Sequence, residues 1–250
     1  MITPDEKPNF VGASLIAVLL KRLKVERVYG LQGGHIQPIW DAFTRIGGTV
    51  IDARDERSAV HMAHAEAEFG GCLGVAMVTA GPGVTNAVTG IANADKARAP
   101  LLLIGGAVPR PQKGAGALQE LYQIDVMRAI TRATISVRNV ERLEQDFLTG
   151  VSSAKGDGGI PGPVFIEVPT DVLREPVAIS SGIEKSDFFR QVRVQRADDS
   201  ILEAAVDLLW DATRPVVISG RGARLSAKSL SRLLDVTGSL YLDTQESRGL

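Results

Sequence analysis

The chain has 250 residues, of which 44% are hydrophobic and 26 are glycine, and its formal net charge is −1. A charge so close to zero, with no block of basic residues, argues against nucleic acid and anionic membranes as partners. The single cysteine, Cys72, excludes an intramolecular disulfide and fits a reducing compartment. The longest apolar run near the start, 13–20, is too short to span a bilayer. We therefore expect a cytoplasmic protein of the ordinary α/β kind.

Apolar runs typical of buried strands alternate with helical patterns over the first 177 residues. The strand patterns lie at 25–30, 50–52, 72–79, 101–106, 133–137 and 161–169. The helical patterns lie at 9–23, 35–43, 58–69, 84–98, 118–129 and 141–151. About six strands alternating with helices predict an α/β fold built on a doubly wound parallel sheet.

A change of composition after Val177 indicates a second domain. Residues 179–196 are polar and unpatterned, as an interdomain linker would be. From 197 onward the order is helix, strand, helix, strand, and two strands cannot build a complete sheet with both faces covered. We expect a first domain at 1–178, a linker at 179–196, and the start of a second α/β domain, incomplete, at 197–250.

Two polar features follow two strands that are consecutive in the chain of the first domain. The charged cluster 52–57 follows one strand, and the turn 81–83 with the sequence G-P-G follows the next. Ligands of open α/β sheets gather at the carboxyl ends of the strands, so Glu56 lies where chemistry is expected. The alternative is that Glu56 is a solvated member of its charge cluster, and the cluster by itself favours that interpretation.

The three histidines have simple structural interpretations. His35 follows a pair of glycines at the start of a helix, where a histidine commonly hydrogen-bonds nearby groups. His61 and His64 share one helix face, but their pattern is not H-E-x-x-H and no cysteine or further histidine lies near. A packed, alanine-rich helix explains the pair better than a metal site does, and we predict no metal ligands in this chain.

Several separated motifs together resemble one enzyme family. They are Y-G-L-Q-G-G-H-I-Q-P-I-W-D-A-F, R-D-E, T-A-G-P-G-V-T-N-A-V-T-G-I-A-N-A, A-L-Q-E, A-I-T-R and P-G-P-V-F-I-E-V-P-T-D-V. In this order they resemble the amino-terminal, pyrimidine-binding domain of thiamine-diphosphate enzymes of the acetohydroxyacid synthase and pyruvate oxidase group. Within that group, G-L-Q-G-G-H-I with A-L-Q-E looks most like benzaldehyde lyase and cyclohexane-1,2-dione hydrolase.

The resemblance gives roles to eight residues. Glu56 matches the acid that hydrogen-bonds the cofactor's aminopyrimidine ring and activates it. The other matches are Thr79, Pro82 and Asn86 lining the pyrimidine pocket, Gly33 and Gly34 at the turn that the cofactor approaches, and His35 and Gln119 facing the reacting carbonyl. Two residues depart from the family pattern: Asp55 replaces a histidine beside the acid, and Gln32 replaces a proline or histidine before the glycines.

The resemblance also implies cofactors and partners. Thiamine diphosphate and Mg²⁺ are expected, with Mg²⁺ held mainly by a diphosphate-binding domain that this sequence lacks. The G-D-G at 156–158 is a turn rather than that domain's metal motif, because no asparagine follows Asn139. We expect a homo- or hetero-oligomer, such as a dimer or tetramer, with a diphosphate-binding domain or subunit supplying the rest. The chain alone should be inactive, and FAD binding by the second domain has no support in the sequence.

The function implied is a component of a thiamine-diphosphate-dependent carbon–carbon lyase or ligase, similar to acetolactate synthase. Its substrates would be small carbonyl compounds, namely 2-oxo acids, aldehydes or diketones. One alternative is a non-catalytic regulatory or scaffold subunit, which the R-D-E departure favours. Another is a nucleotide-binding module, from the G-x-G at 220–222 with Asp243 downstream, although that pattern lacks its third glycine.

Overall fold

A computed structural model describes residues 10–157, 159–177, 197–224 and 226–248. The described residues up to Val177 and those from Ala197 onward belong to two separate compact units. The predicted linker, 179–196, lies outside the described residues. Within the described ranges, every helix falls short of the length and apolarity needed to cross a membrane.

The first unit contains six strands and seven helices among its described residues. The strands are β1 (Arg27–Gly30), β2 (Thr49–Asp52), β3 (Gly74–Val78), β4 (Leu101–Ala107), β5 (Ala133–Ser136) and β6 (Pro163–Pro169). The helices are α1 (Gly12–Arg22), α2 (Gln37–Arg45), α3 (Glu56–Gly70), α4 (Pro82–Ala97), α5 (Gln123–Arg128), α6 (Val140–Lys155) and α7 (Thr170–Arg174). All strand pairs are parallel, in the order β2-β1-β3-β4-β6-β5. The predicted doubly wound α/β sheet is confirmed.

Helices cover both faces of this sheet. Successive residues of β3 alternate between two hydrophobic clusters: Val75 and Met77 pack with α1, α2 and α6, whereas Ala76 and Val78 pack with α3, α4 and α5. Every residue of β3, β4 and β6 is buried. This two-sided burial explains why the central strands have continuous apolar sequences rather than alternating ones.

Helix α3 begins at Glu56, two residues before its predicted start. The side chain of Asp55 caps the helix by accepting a hydrogen bond of 2.8 Å from the backbone N–H of Arg57. At the other end, Gly71 has φ +62°, a left-handed conformation suited to glycine. The earlier start moves Glu56 from a strand end into the first turn of a helix.

The helix predicted at 118–129 is wrong in its first half, because α5 begins only at Gln123. The carboxylate of Glu120 accepts hydrogen bonds from the backbone N–H groups of Gly114, Gly116 and Ala117, and this closes a loop that competes with helix formation. Gln119 has φ +63°, which no helical residue adopts. Gln119 therefore projects from a tight loop and not from a helix.

The second unit contains α8 (Asp199–Asp211), β7 (Val216–Ser219), α9 (Ala227–Thr237) and β8 (Leu240–Asp243). Its two strands pair in parallel, with Ser219 opposite Asp243. Many large apolar side chains of this unit are exposed, among them Ile201, Leu208, Trp210 and Ile218. A helix or sheet face of this kind is stable when another layer packs on it.

The contact between α3 and β3 gives a test of the fold. A methyl group added at Gly74 would lie 2.8 Å from the carbonyl carbon of Ala63, a rigid backbone atom. We expect Gly74→Ala to lower the free energy of unfolding by about 1–3 kcal/mol through overpacking. Gly159→Ala is the matched control, since no atom lies within 4 Å of the added group. Thermal melts of both variants check this; equal melting temperatures would contradict the close α3–β3 packing.

Candidate active site

The strand order brings four polar residues to one edge of the sheet. Neighbouring strands β2, β1, β3 and β4 are followed along the chain by Glu56, His35, Thr79 and Gln119, respectively. The chain leaves β1 toward β2 on one side and returns to β3 on the other, so the order reverses between β1 and β3. Such a reversal opens a crevice at the carboxyl ends of the strands, where ligands of these folds bind.

Glu56 is a buried carboxylate on the side of α3 that faces α4. Only 6% of its surface is exposed, which excludes the solvated interpretation of the charge cluster for this residue. The side-chain amide of Asn86 donates to Glu56 Oε2 over 3.0 Å. Glu56 Oε1 is directed at Gly83, where a methyl group would lie 3.4 Å from it and 2.9 Å from Thr79 Cγ2. Gly83 therefore packs closely against Thr79 and the carboxylate, and a side chain at this position would collide with Thr79.

Asp55 precedes Glu56 but has a different role. Its carboxylate pairs with the guanidinium of Arg57, with Oδ1 2.9 Å from Nε and Oδ2 2.6 Å from Nη2. These hydrogen bonds, together with that from the backbone N–H of Arg57, lower the pKa of Asp55 to about 2. Asp55 therefore serves as a helix cap, and the chain separates its two adjacent acids into one solvated and one buried group.

His35 belongs to a chain of polar contacts with two distant residues. Its Nδ1 lies 3.3 Å from Thr79 Oγ1, and the Thr79 hydroxyl donates to Gln119 Oε1 over 3.3 Å. A hydroxyl has one proton, so His35 Nδ1–H donates to Thr79 and the ring's Nε2 keeps its lone pair. His35 lies in the turn before α2, not in the first helical turn as predicted, and its ring contacts another strand's residue rather than a local group.

Burial affects the charge of this histidine. Burial lowers the pKa of His35, and a hydrogen bond with Gln119 partly opposes that change. The imidazole is therefore mainly neutral at pH 7. A neutral ring held by Nδ1 can accept a proton at Nε2 or, once protonated, return it.

The two glycines before His35 have different surroundings. A methyl group at Gly33 would lie 2.6 Å from Thr79 Oγ1, so the loop after β1 reaches Thr79 only because this residue is glycine. No atom lies within 4 Å of a methyl group at Gly34, which faces open space. Gly33 is thus required by the fold, whereas Gly34 leaves an approach for a ligand.

The remaining two predicted pocket residues lie at the start of α4. Pro82 and Asn86 are exposed on this helix, and the preceding Gly81 has φ +63° and ψ −107°. A methyl group at Gly81 would lie 3.1 Å from the carbonyl carbon of Gln119, whose own φ is +63°. A left-handed non-glycine residue costs on the order of 1–3 kcal/mol, so the surrounding contacts must hold Gln119 in place.

Gln123 is one of those contacts, and the sequence analysis missed it. Its surface is only 2% exposed. Its Oε1 accepts a hydrogen bond of 3.0 Å from the N–H of Gly81, and its Nε2 donates one of 2.8 Å to the carbonyl of Gly106. In sequence it occupies one polar position of an expected amphipathic helix. No pattern at that position indicates that its amide faces inward.

A cavity of about 230 Å³ adjoins Gln119 at the ends of β4, β5 and β6. Its lining includes Glu167, which is buried, accepts a hydrogen bond of 2.8 Å from Ser136 Oγ and lies 3.8 Å from Lys113 Nζ. Arg110, also in the lining, is neutralised by Asp171 and Glu175 of the α7 region. The cavity gives a group bound at Gln119 further space along the edge of the sheet.

Other residues singled out in the sequence lie away from this edge. His64 Nδ1 is 3.4 Å from the amide of Asn93 and its Nε2 is 3.5 Å from Glu68, so it packs between α3 and α4. Gly156 ends α6 in a left-handed turn, and residue 158 lies outside the described part. In the second unit, Asp243 is the last residue of β8, and Arg221 after the first glycine of the G-x-G pairs with Glu246.

Comparison with known proteins shows which family the sequence belongs to. Residues 10–127 match the model of the thiamine pyrophosphate enzyme N-terminal TPP binding domain. The 2-hydroxyacyl-CoA lyase 2 of Caenorhabditis elegans is 43% identical over 169 residues, which cover 68% of this chain and 26% of the relative. The human 2-hydroxyacyl-CoA lyase 2 is 41% identical over 162 residues, which cover 65% of this chain and 25% of the relative.

A third relative matches along nearly the whole chain. The 2-hydroxyacyl-CoA lyase of Arabidopsis thaliana is 28% identical over 249 residues, which cover 97% of this chain and 43% of the relative. The chain thus spans from about a quarter to about two fifths of the length of these relatives. Through residues 10–127, the chain belongs to the family of N-terminal TPP-binding domains of thiamine pyrophosphate enzymes.

Proposed function

We propose that this chain is the pyrimidine-binding component of a thiamine-diphosphate-dependent carbon–carbon lyase. The observation that carries the proposal is the buried carboxylate of Glu56, which Asn86 holds at the carboxyl edge of the sheet. The relatives named as 2-hydroxyacyl-CoA lyases favour 2-hydroxyacyl thioesters as the substrate class. Cleavage of the bond between C1 and C2 of such a thioester would give an aldehyde and a formyl thioester, and the reverse reaction would join these two.

The residues at this edge fit the aminopyrimidine ring of the cofactor. A flat ring needs a carboxyl group that can hydrogen-bond a ring nitrogen, and space in which the ring can lie beside it. Glu56 offers the carboxyl group, and the missing side chain at Gly34 offers open space on the same edge of the sheet. Thr79 supplies an apolar methyl group beside Gly83. The match is one of shape and of hydrogen-bonding chemistry.

When bound, thiamine diphosphate supplies a nucleophilic carbon and an electron sink for the bond that breaks. Glu56 would hold a proton at the ring nitrogen and give or take it as the ring changes its tautomer. Asn86 would keep that carboxyl group in one orientation, since it donates to the oxygen turned away from Gly83. The burial of Glu56 excludes water that would otherwise compete for the proton.

His35 and Gln119 would serve the reacting carbonyl oxygen. Thr79 contacts His35 Nδ1 and Gln119 Oε1, and we expect His35 Nε2 and the Gln119 amide N–H groups to face the ligand. An amide N–H can stabilise negative charge developing on an oxygen, and the neutral imidazole can move a proton to or from it. The adjoining cavity would accept the part of the substrate that extends past Gln119.

A diphosphate-binding domain or subunit, with Mg²⁺, would complete the site. Exposed apolar side chains surround Gln119 on its loop and on α5, namely Leu118, Leu121, Tyr122 and Val126. An apolar surface beside a polar site favours cover by another protein layer. We therefore expect a dimer or larger oligomer and no turnover by this chain alone. A scaffold subunit would keep this surface but would not need a buried acid at Glu56.

The proposed role of Glu56 predicts the effect of an isosteric change. In the assembled enzyme, Glu56→Gln should slow proton exchange at C2 of the cofactor by several powers of ten, because an amide cannot exchange the proton with the ring nitrogen. Each power of ten corresponds to about 1.4 kcal/mol of transition-state stabilisation. Cofactor affinity should change little, since the amide fills the same space. NMR of the exchange and calorimetry of binding measure the two effects.

Asp55→Asn is the matched control for this experiment. Asparagine caps a helix about as well as aspartate does, and Asp55 faces Arg57 rather than Glu56, so exchange should stay close to that of the unsubstituted enzyme. Unchanged exchange in Glu56→Gln would remove Glu56 from the mechanism. Failure of every assembly to bind the cofactor would favour the scaffold alternative.

The two adjacent glycines predict a second, paired result. Gly33→Ala should lower the melting temperature, because its methyl group would collide with Thr79. Gly34→Ala should leave the melting temperature unchanged but weaken cofactor binding in the assembled enzyme, because its methyl group would enter the open approach. Calorimetric titration with thiamine diphosphate and Mg²⁺ checks the second effect. Full affinity in a stable Gly34→Ala variant would place the cofactor elsewhere.

A further inference from the structure

Gln123 connects two backbone segments at the carboxyl edge of the sheet. One segment is the turn before α4, where the N–H of Gly81 donates to Gln123 Oε1. The other is the end of β4, where the carbonyl of Gly106 accepts from Gln123 Nε2. Both hydrogen bonds are buried, and together they engage both ends of the amide. The side chain therefore fixes the distance between the two segments.

Each of these segments supports one of the polar residues of the site. A methyl group at Gly81 would lie 3.1 Å from the carbonyl carbon of Gln119, and one at Gly106 would lie 2.8 Å from the carbonyl group of His35. The backbones of Gln119 and His35 thus rest directly on the two glycines that Gln123 connects. A shift of either glycine would move the residue packed on it.

The chemistry of the connection requires an amide of this length. The buried N–H of Gly81 needs an acceptor and the buried carbonyl of Gly106 needs a donor, and a glutamine side chain presents one of each in a plane. Methionine would fill a similar volume but leave both backbone groups unpaired. Glutamate would keep the acceptor for Gly81 and place a second acceptor against the carbonyl of Gly106.

We propose that Gln123 is a positioning residue, which sets the separation of Gln119 and His35 and so the geometry of the two groups that face the reacting carbonyl. The role of this geometry in catalysis rests on the proposed function. The hydrogen bonds and packing of Gln123 are independent of that function, since they lie within the chain itself. Their effect can be measured without cofactor or substrate.

The chain's three histidines provide a direct readout of the proposal. In the full chain, NMR titration follows each imidazole, with His35 identified by its loss in His35→Asn. Burial lowers the pKa of His35 and contact with Gln119 raises it, so Gln119→Ala should shift its titration, and this variant sets the reference direction for loss of the contact. Gln123→Met should shift His35 in the same direction, because Gln119 and His35 separate. The titrations of His61 and His64 on α3 should not change.

Gln145→Met is the matched control, because Gln145 is exposed on α6. If Gln123→Met lowers the melting temperature while His35 titrates as in Gln145→Met, the role of Gln123 is packing alone and the proposal is wrong. Should Gln123→Met fail to fold, Gln123→Asn tests the same point without a change of charge, because its shorter amide cannot reach both Gly81 and Gly106. The loss of one of the two bonds should again shift His35, and an unshifted titration overturns the proposal.

Kinetics of the assembled enzyme separate this proposal from the proposed function. Gln123→Met should lower kcat with little change in KM, because the residue aligns reacting groups without touching substrate. An unchanged kcat would overturn the positioning role while leaving the lyase assignment intact. If the unsubstituted enzyme cleaves no 2-hydroxyacyl thioester, the lyase assignment fails and the histidine titrations still decide the positioning.

Discussion

Close backbone contact at glycine is the constraint on which this site depends. At three places on the carboxyl edge of the sheet, a glycine lets one segment lie directly on another: Gly33 on Thr79, Gly81 on Gln119, and Gly106 on His35. A side chain at any of these glycines would separate segments that come from different strands. The polar contacts from His35 through Thr79 to Gln119 can form because each of these three glycines lacks the side chain that would keep the segments apart. Packing therefore places these polar groups, and their own hydrogen bonds only refine the arrangement.

Two adjacent acids at the start of α3 have different roles because their side chains lie in different surroundings. Asp55 caps the helix and pairs with Arg57 at the surface, and its pKa falls to about 2 as a result. Glu56, one residue later, points between α3 and α4 and is buried against Gly83. Asp55 has an extended backbone at the helix N-cap (φ −157°, ψ 137°), whereas Glu56 is the first helical residue, and this change directs one carboxylate to the surface and the next into the protein. Under the proposed function, only the second can exchange a proton with a bound ring.

The sequence predicted the strands well because buried parallel strands have continuous apolar sequences, as in Leu101–Ala107. It predicted the buried acid only through resemblance, since charge clusters at strand ends are usually solvated. It did not predict the loop that carries Gln119. The helical spacing of apolar residues around 118–129 indicates a helix, whereas the loop depends on a contact that the spacing does not reveal. That contact is the carboxylate of Glu120 accepting three backbone N–H groups. The role of Gln123 was also beyond prediction, since both of its partners are backbone atoms far away in sequence.

Several independent contacts hold the loop that carries Gln119. Glu120 closes the loop on itself, Arg110 ties its first part to Asp171, and Gln123 anchors its far end to Gly81 and Gly106. A loop held this way keeps the left-handed conformation of Gln119 without a ligand. Groups that are fixed before the reaction need no reorganisation as charge develops, which is the main source of electrostatic stabilisation in enzymes. This half of the proposed site would therefore be preformed, and assembly would add the missing groups rather than reshape those already in place.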